Sequence, residues 1–110
     1  MARRIGQMLG IKPERIAEYK RHHAAIWPEI SAAIRAAGIR NYSIYLRGET
    51  LFAYFEYHGP EAEFAARMEA LKSAPRMREW WDLMEPMQSP DPARPAGTWW
   101  SDMEEVFHLG

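Results

Sequence analysis

Residues 41–57 read NYSIYLRGETLFAYFEY, and this stretch decides the fold. Apolar side chains alternate with other residues on both sides of a short Arg47-Gly48-Glu49 turn. They are Tyr42, Ile44 and Leu46 before the turn, and Leu51, Ala53, Phe55 and Tyr57 after it. A period of two places such side chains on one face of two antiparallel strands. The stretch therefore predicts a β-hairpin with one buried face.

Upstream of the hairpin, the pattern predicts a strand at Arg3–Leu9 and a helix that begins at Pro13. That helix should break or kink at Trp27, because Pro28 disfavours helical backbone in the residue before it. Spacings of three and four mark one face of the helix with Ile16, Tyr19, His23 and Ile26. A second helix follows and ends at Gly38, a residue that favours helix termination.

Downstream of the hairpin, Gly59-Pro60 predicts the start of another helix, and Pro75 the start of a shorter one. The proline-rich residues 85–97 predict a long ordered loop or lid. Met103–Leu109 predicts a closing strand.

The predicted order is strand, helix, strand, strand, helix, strand, which is the split βαβ arrangement of ferredoxin-like α+β domains with an antiparallel sheet. At 110 residues, we expect residues 1–110 to form a single domain. Helices cover only one face of such a sheet. We therefore expect the other face to pack against a second copy, giving a homodimer.

Composition narrows the possible partners. The net charge of −1 gives no broad field for nucleic acid, and no apolar run is long enough for a membrane span. No cysteine is present, so disulfides and thiolate metal sites are excluded, and we expect a cytoplasmic protein. The four histidines show no metal-ligand spacing and no glycine-rich phosphate loop occurs, so we expect neither metal nor cofactor.

Two pairs of residues could carry chemistry. Tyr19 and His23 are four residues apart and project from the same helix face, and an imidazole with a pKa of about 6.5 can both give and take a proton near neutrality. Trp80 and Trp81 are adjacent, so only one indole can lie at the centre of the core-facing stripe and the other should reach a pocket wall. Each pair also fits ordinary core packing, and both interpretations remain open at this point.

Four stretches resemble the L-rhamnose mutarotase family, in the same order and over nearly the whole chain. They are Tyr19–Ile30 (YKRHHAAIWPEI), Asn41–Leu46 (NYSIYL), Trp80–Met84 (WWDLM) and Glu105–Leu109 (EVFHL). The resemblance implies a dimeric ferredoxin-like α/β barrel and a cofactor-free enzyme that equilibrates α- and β-L-rhamnopyranose in sugar catabolism. It implies that His23 is the catalytic proton donor, and that the sugar-binding positions are Tyr19, Tyr42, Trp80 and Trp81. The match weakens at residues 90–95 (PDPARP), where family members carry a PDNSP-like run, so the identity of the sugar stays open.

Mutarotation opens the sugar ring by moving a proton from the anomeric hydroxyl and supplying one to the ring oxygen. We expect His23, as an imidazolium, to protonate the ring oxygen, while Tyr19 or a carboxylate-activated water helps to remove the anomeric proton. The alternatives are a mutarotase for another deoxy-sugar, a cofactorless monooxygenase or haem-degrading protein of the same fold, and a dimeric binding module.

Overall fold

The computed structural model describes residues 2–110, which form a five-stranded antiparallel sheet and four α-helices. The strands are β1 (Arg3–Ile11), β2 (Ile39–Arg47), β3 (Thr50–Tyr57), β4 (Gln88–Ser89) and β5 (Ser101–Met103). The helices are α1 (Ile16–Ala24), α2 (Pro28–Ala36), α3 (Phe64–Ser73) and α4 (Pro75–Met84), with 3-10 turns at Pro13–Arg15, Glu61–Glu63 and Glu85–Met87. Within residues 2–110, no helix has the length and apolar character needed to cross a membrane.

The sheet has the strand order β2-β3-β1-β4, and β5 pairs with a different part of the same edge of β1. Gly10 and Ile11 pair with β4, whereas residues 6–8 pair with β5. The central position of β1 and β3 confirms the predicted ferredoxin-like α+β fold.

The predicted hairpin is confirmed as β2 and β3, and its apolar face forms the centre of the core. In β3, Leu51, Ala53, Phe55 and Tyr57 are each at most 8% exposed. All four helices pack against this face of the sheet, through side chains that include Tyr19, Ile30, Met68 and Trp80. Each fully buried large apolar side chain contributes about 1.5–3 kcal/mol to folding, so this face dominates the stability.

A bulge in β2 brings Ile39 to the same face of the sheet as Tyr42. Asn41 has a φ of 52°, and the register with β3 shifts between Arg40 and Ser43. Because the irregular residues interrupt the alternation, Ile39 and Tyr42 both lie on the helix-covered face. The Tyr42 ring stacks there on Phe55, with ring centroids 5.1 Å apart.

Two predictions about the C-terminal third were wrong. Residues 85–97 are not wholly loop, because a 3-10 turn and the short strand β4 occupy residues 85–89. The closing strand lies at Ser101–Met103 rather than Met103–Leu109. Residues 104–110 form no regular structure, and their apolar side chains are at least 80% exposed: Val106, Phe107 and Leu109.

Candidate active site

All five residues predicted for the site line one cavity, with a volume of about 1370 Å³, between the helices and the sheet. They are Tyr19, His23, Tyr42, Trp80 and Trp81. They come from α1, β2 and α4, so the cavity depends on how these three elements pack. A cavity of this size is ample for one monosaccharide.

His23 lies in the last turn of α1, where one of its ring nitrogens is already committed. Its Nδ1 lies 2.9 Å from the backbone carbonyl oxygen of Tyr19. A carbonyl only accepts, so Nδ1 carries a proton and donates this hydrogen bond. Nε2 is therefore the nitrogen that remains for a ligand.

The surroundings of His23 favour its neutral form. Burial lowers the pKa of His23 below its ordinary value of 6.5; the hydrogen bond to the Tyr19 carbonyl opposes this shift, and the neighbouring His22 adds to it. The lowered pKa favours the neutral imidazole, which has a lone pair on Nε2. In this form Nε2 can accept a proton.

Aromatic rings enclose the His23 imidazole on two sides. The centroid of the Tyr19 ring lies 4.3 Å from that of the imidazole, and the centroid of the Trp80 indole lies 5.5 Å from it, with 71° between the planes. Trp80 is 5% exposed, whereas the adjacent Trp81 is half-buried. Trp80 is thus part of the core and Trp81 is the more exposed of the two, while both indoles line the cavity.

The predicted helix break at Trp27 holds this aromatic group together. α1 ends at Ala24, and α2 begins at Pro28 after Trp27 adopts an extended backbone. The Trp27 ring packs edge-on against Trp80 at 5.1 Å and carries the Arg76 guanidinium 3.7 Å above its centroid. These contacts join the junction between α1 and α2 to α4.

Both site tyrosines are neutral phenols at ordinary pH. Burial raises the pKa of Tyr19 to about 12, although a hydrogen bond from Gln88 partly opposes the shift. Desolvation also raises the pKa of Tyr42 to about 12, and the nearby Tyr19 phenol adds to that effect. With 39% of its surface exposed, Tyr42 lies nearer the cavity mouth than Tyr19, which is 5% exposed.

Sequence reasoning missed Gln88 and Trp99. Gln88 is 6% exposed and its Nε2 donates to the Tyr19 hydroxyl over 3.1 Å, while Trp99 Nε1 donates to Gln88 Oε1 over 2.9 Å. Both residues line the cavity. No local pattern could have revealed them, because Gln88 lies in the proline-rich stretch, 69 positions from its partner Tyr19.

Carboxylates are sparse around the cavity. Asp102 lines it and accepts a hydrogen bond from Gln7 Nε2 over 2.9 Å. Among residues 2–110, no three His, Asp or Glu side chains come together in an arrangement that could hold a metal ion.

Comparison with known proteins gives a consistent result. Residues 4–109 match the family model described as L-rhamnose mutarotase. The L-rhamnose mutarotase of Ligilactobacillus salivarius is 37% identical over 115 residues, covering 99% of both chains. A crystal structure of an L-rhamnose mutarotase from Formosa agariphila is 24% identical, with a TM-score of 0.74, and the match covers 98% of this chain and 99% of that one.

The fold alone does not decide the activity. Tetracenomycin F2 cyclase from Streptomyces glaucescens, a type-II polyketide cyclase, has a TM-score of 0.71 at 11% identity, and the match covers 98% of this chain and 99% of the cyclase. Similar backbones therefore carry different chemistry, and the family assignment depends on sequence. The family match spans nearly the whole chain, and the 37% identity extends from end to end. This chain belongs to the L-rhamnose mutarotase family.

Proposed function

We propose that this chain interconverts the α and β anomers of L-rhamnopyranose, with His23 as the group that moves the proton. The observation that carries the proposal is the His23 imidazole, whose Nδ1 is held on the Tyr19 carbonyl and whose Nε2 is left for a ligand in an aromatic cavity. Membership of the family supplies the substrate. The experiment given below distinguishes L-rhamnose from other monosaccharides as the substrate.

Ring opening begins when neutral His23 takes the proton of the anomeric hydroxyl at Nε2. The bond between the anomeric carbon and the ring oxygen then breaks, the anomeric oxygen becomes the aldehyde oxygen, and the ring oxygen receives a proton. Both oxygens are bonded to the same carbon, so a single nitrogen can serve both, and the imidazolium formed in the first transfer can supply the second. Rotation of the aldehyde and the reverse steps close the ring on either face.

General acid and base assistance of this kind typically contributes about 10² to 10⁴ in rate. Anomers already interconvert in water, so an acceleration of this size is sufficient for a useful enzyme. In this sequence of steps His23 first accepts the anomeric proton and then donates a proton to the ring oxygen. It therefore also fills the role of proton donor that the family resemblance implied.

Indole faces are suited to the apolar C–H surface of a deoxy-sugar, and hydroxyl groups are suited to its alcohols. We propose that Trp80 and Trp81 pack against the sugar and that Tyr19 and Tyr42 bind its oxygens. All four line the same cavity as His23, which supports this proposal.

Saturation-transfer NMR of equilibrated L-rhamnose with the purified protein tests this function. We expect exchange between the anomeric protons well above the buffer rate, and slower exchange for L-fucose and D-glucose at equal concentration. Exchange with another sugar only would reassign the substrate. No exchange with any sugar, together with oxygen uptake on an aromatic substrate or haem binding, would overturn the function.

We also propose that a second copy covers the uncovered sheet face. Met8, Tyr45 and Met103 lie on this face and are 39%, 66% and 40% exposed. Exposed apolar surface on the central strand of a sheet favours self-association. Analytical ultracentrifugation should show a dimer that Met8→Glu weakens and that Ala66→Glu, on exposed α3, leaves intact. A monomeric wild-type protein at micromolar concentration would contradict this.

We propose the cytoplasm as the compartment in which the chain works, because free sugars taken up by a cell are catabolised there. Cell fractionation with an antibody against the chain should recover it with soluble cytoplasmic markers. Recovery with membranes or with secreted proteins would contradict this location.

A further inference from the structure

We propose that Gln88 is a positioning residue which, oriented by Trp99, fixes the Tyr19 hydroxyl as a hydrogen-bond donor to a sugar oxygen. The inference rests on the proposed function, because it names a sugar as the acceptor. It adds two residues to the site that neither the family resemblance nor the sequence pattern assigned.

The directions of the two hydrogen bonds that join Trp99, Gln88 and Tyr19 follow from the chemistry of the Trp99 indole. An indole N–H can only donate, so Trp99 Nε1 must meet the oxygen of the Gln88 amide, at 2.9 Å. This fixes which end of the amide is oxygen, a choice that side-chain shape alone leaves open. The amide nitrogen of Gln88 therefore faces the Tyr19 hydroxyl oxygen, at 3.1 Å, and donates to it.

Tyr19 is left with one specific role. Its oxygen accepts from Gln88, so its own proton must point elsewhere. Across residues 2–110, the structure shows no hydrogen bond donated by the Tyr19 hydroxyl, and Tyr19 lines the cavity. The acceptor is then a sugar oxygen, and Tyr19 works as a donor rather than as the group that removes the anomeric proton.

The Gln88 amide is held firmly enough to impose this direction. Gln88 is 6% exposed and lies in β4, opposite Ile11 of β1. The neighbouring pair, Gly10 and Ser89, approaches so closely that a Cβ on Gly10 would lie 2.5 Å from the Ser89 carbonyl oxygen. Close backbone pairing on one side and the indole on the other restrict the amide to one orientation.

The test is a double-mutant cycle on kcat/KM for anomer exchange, with Gln88→Met, Tyr19→Phe and the combined variant. Gln88→Met keeps the volume and removes the donor, so we expect kcat/KM to fall about fivefold, the value of one hydrogen bond. In the Tyr19→Phe background the same change should alter kcat/KM by less than about twofold, because its target is gone. An equal fall in both backgrounds, or none in the wild-type background, would overturn the proposal.

Two matched tryptophan variants test whether the Trp99 indole N–H orients the Gln88 amide. Trp99→Phe removes the indole N–H and should lower kcat/KM, because the amide is then free to turn. Trp100→Phe makes the same chemical change one residue later, outside the hydrogen-bonded chain, and should stay within about twofold of wild type. Equal effects of the two variants would count against the assigned direction.

A second readout separates this proposal from the proposed function. The ¹³Cζ resonance of labelled Tyr19, recorded without sugar at pH 7, should move in Gln88→Met and in Trp99→Phe but not in Trp100→Phe. If wild type turns over no sugar but this pattern holds, the function fails and the positioning of Tyr19 stands. An unmoved resonance in Gln88→Met overturns the positioning whatever the activity.

Discussion

The pH dependence of anomer exchange follows from the state of His23. Burial lowers the pKa of His23 below 6.5, and neutral Nε2 is the proposed proton acceptor. We expect kcat/KM to be flat between pH 7 and 8 and to fall at lower pH, once His23 is protonated before the sugar arrives. Below its pKa, each pH unit should lower kcat/KM about tenfold, since one protonation removes the active form.

The assay is the exchange rate of L-rhamnose anomers with the buffer rate subtracted at each pH. His22→Gln is the second variant to measure, because the charge on His22 lowers the pKa of His23. The acidic limb of the His22→Gln profile should therefore move to higher pH. His58→Gln, just beyond the end of β3, should leave the profile unchanged. A rate that rises as pH falls from 7 to 6 would refute the reasoning, because it would identify the imidazolium as the form that reacts first.

Two further predictions concern stability. Gly10→Ala should lower the free energy of unfolding by about 1–3 kcal/mol, because the new Cβ would clash with Ser89. Gly6→Ala should change it by less than about 0.5 kcal/mol, because the nearest atom to its new Cβ would lie 3.5 Å away. Equal urea midpoints for the two variants would contradict this. Tyr57→Phe removes a hydroxyl that donates to the Pro60 carbonyl over 2.7 Å and should cost about 1 kcal/mol in urea denaturation without altering kcat/KM. A loss of activity in the folded Tyr57→Phe variant would show that this part of the core reaches the site.

Much of the fold could be predicted because its signals are local. The alternation in residues 41–57 specified the hairpin and its buried face, and Pro28 specified the break at Trp27. Spacing along α1 brought Tyr19 and His23 to one side, and their rings lie 4.3 Å apart. Each of these signals depends on residues within a few positions of one another.

The errors lie where pairing decides the structure. Val106, Phe107 and Leu109 give residues 103–109 the apolar and aromatic content of a strand, but such content indicates only a tendency to be buried and names no partner. In residues 2–110 the free edge of β1 is taken by Gln88–Ser89 and Ser101–Met103 instead. The hydrogen bonds from Trp99 to Gln88 and on to Tyr19 were unpredictable for the same reason, since they depend on that pairing.

The most direct test of the account is anomer exchange by His23→Gln, with His22→Gln as the matched control. Glutamine keeps hydrogen-bonding ability at this position but cannot take a proton, so we expect a loss of about 10² to 10⁴ in kcat/KM, with unchanged circular dichroism. His22→Gln should retain activity, because it leaves the His23 imidazole in place. Exchange by His23→Gln within about twofold of wild type would contradict the central claim that this imidazole moves the proton.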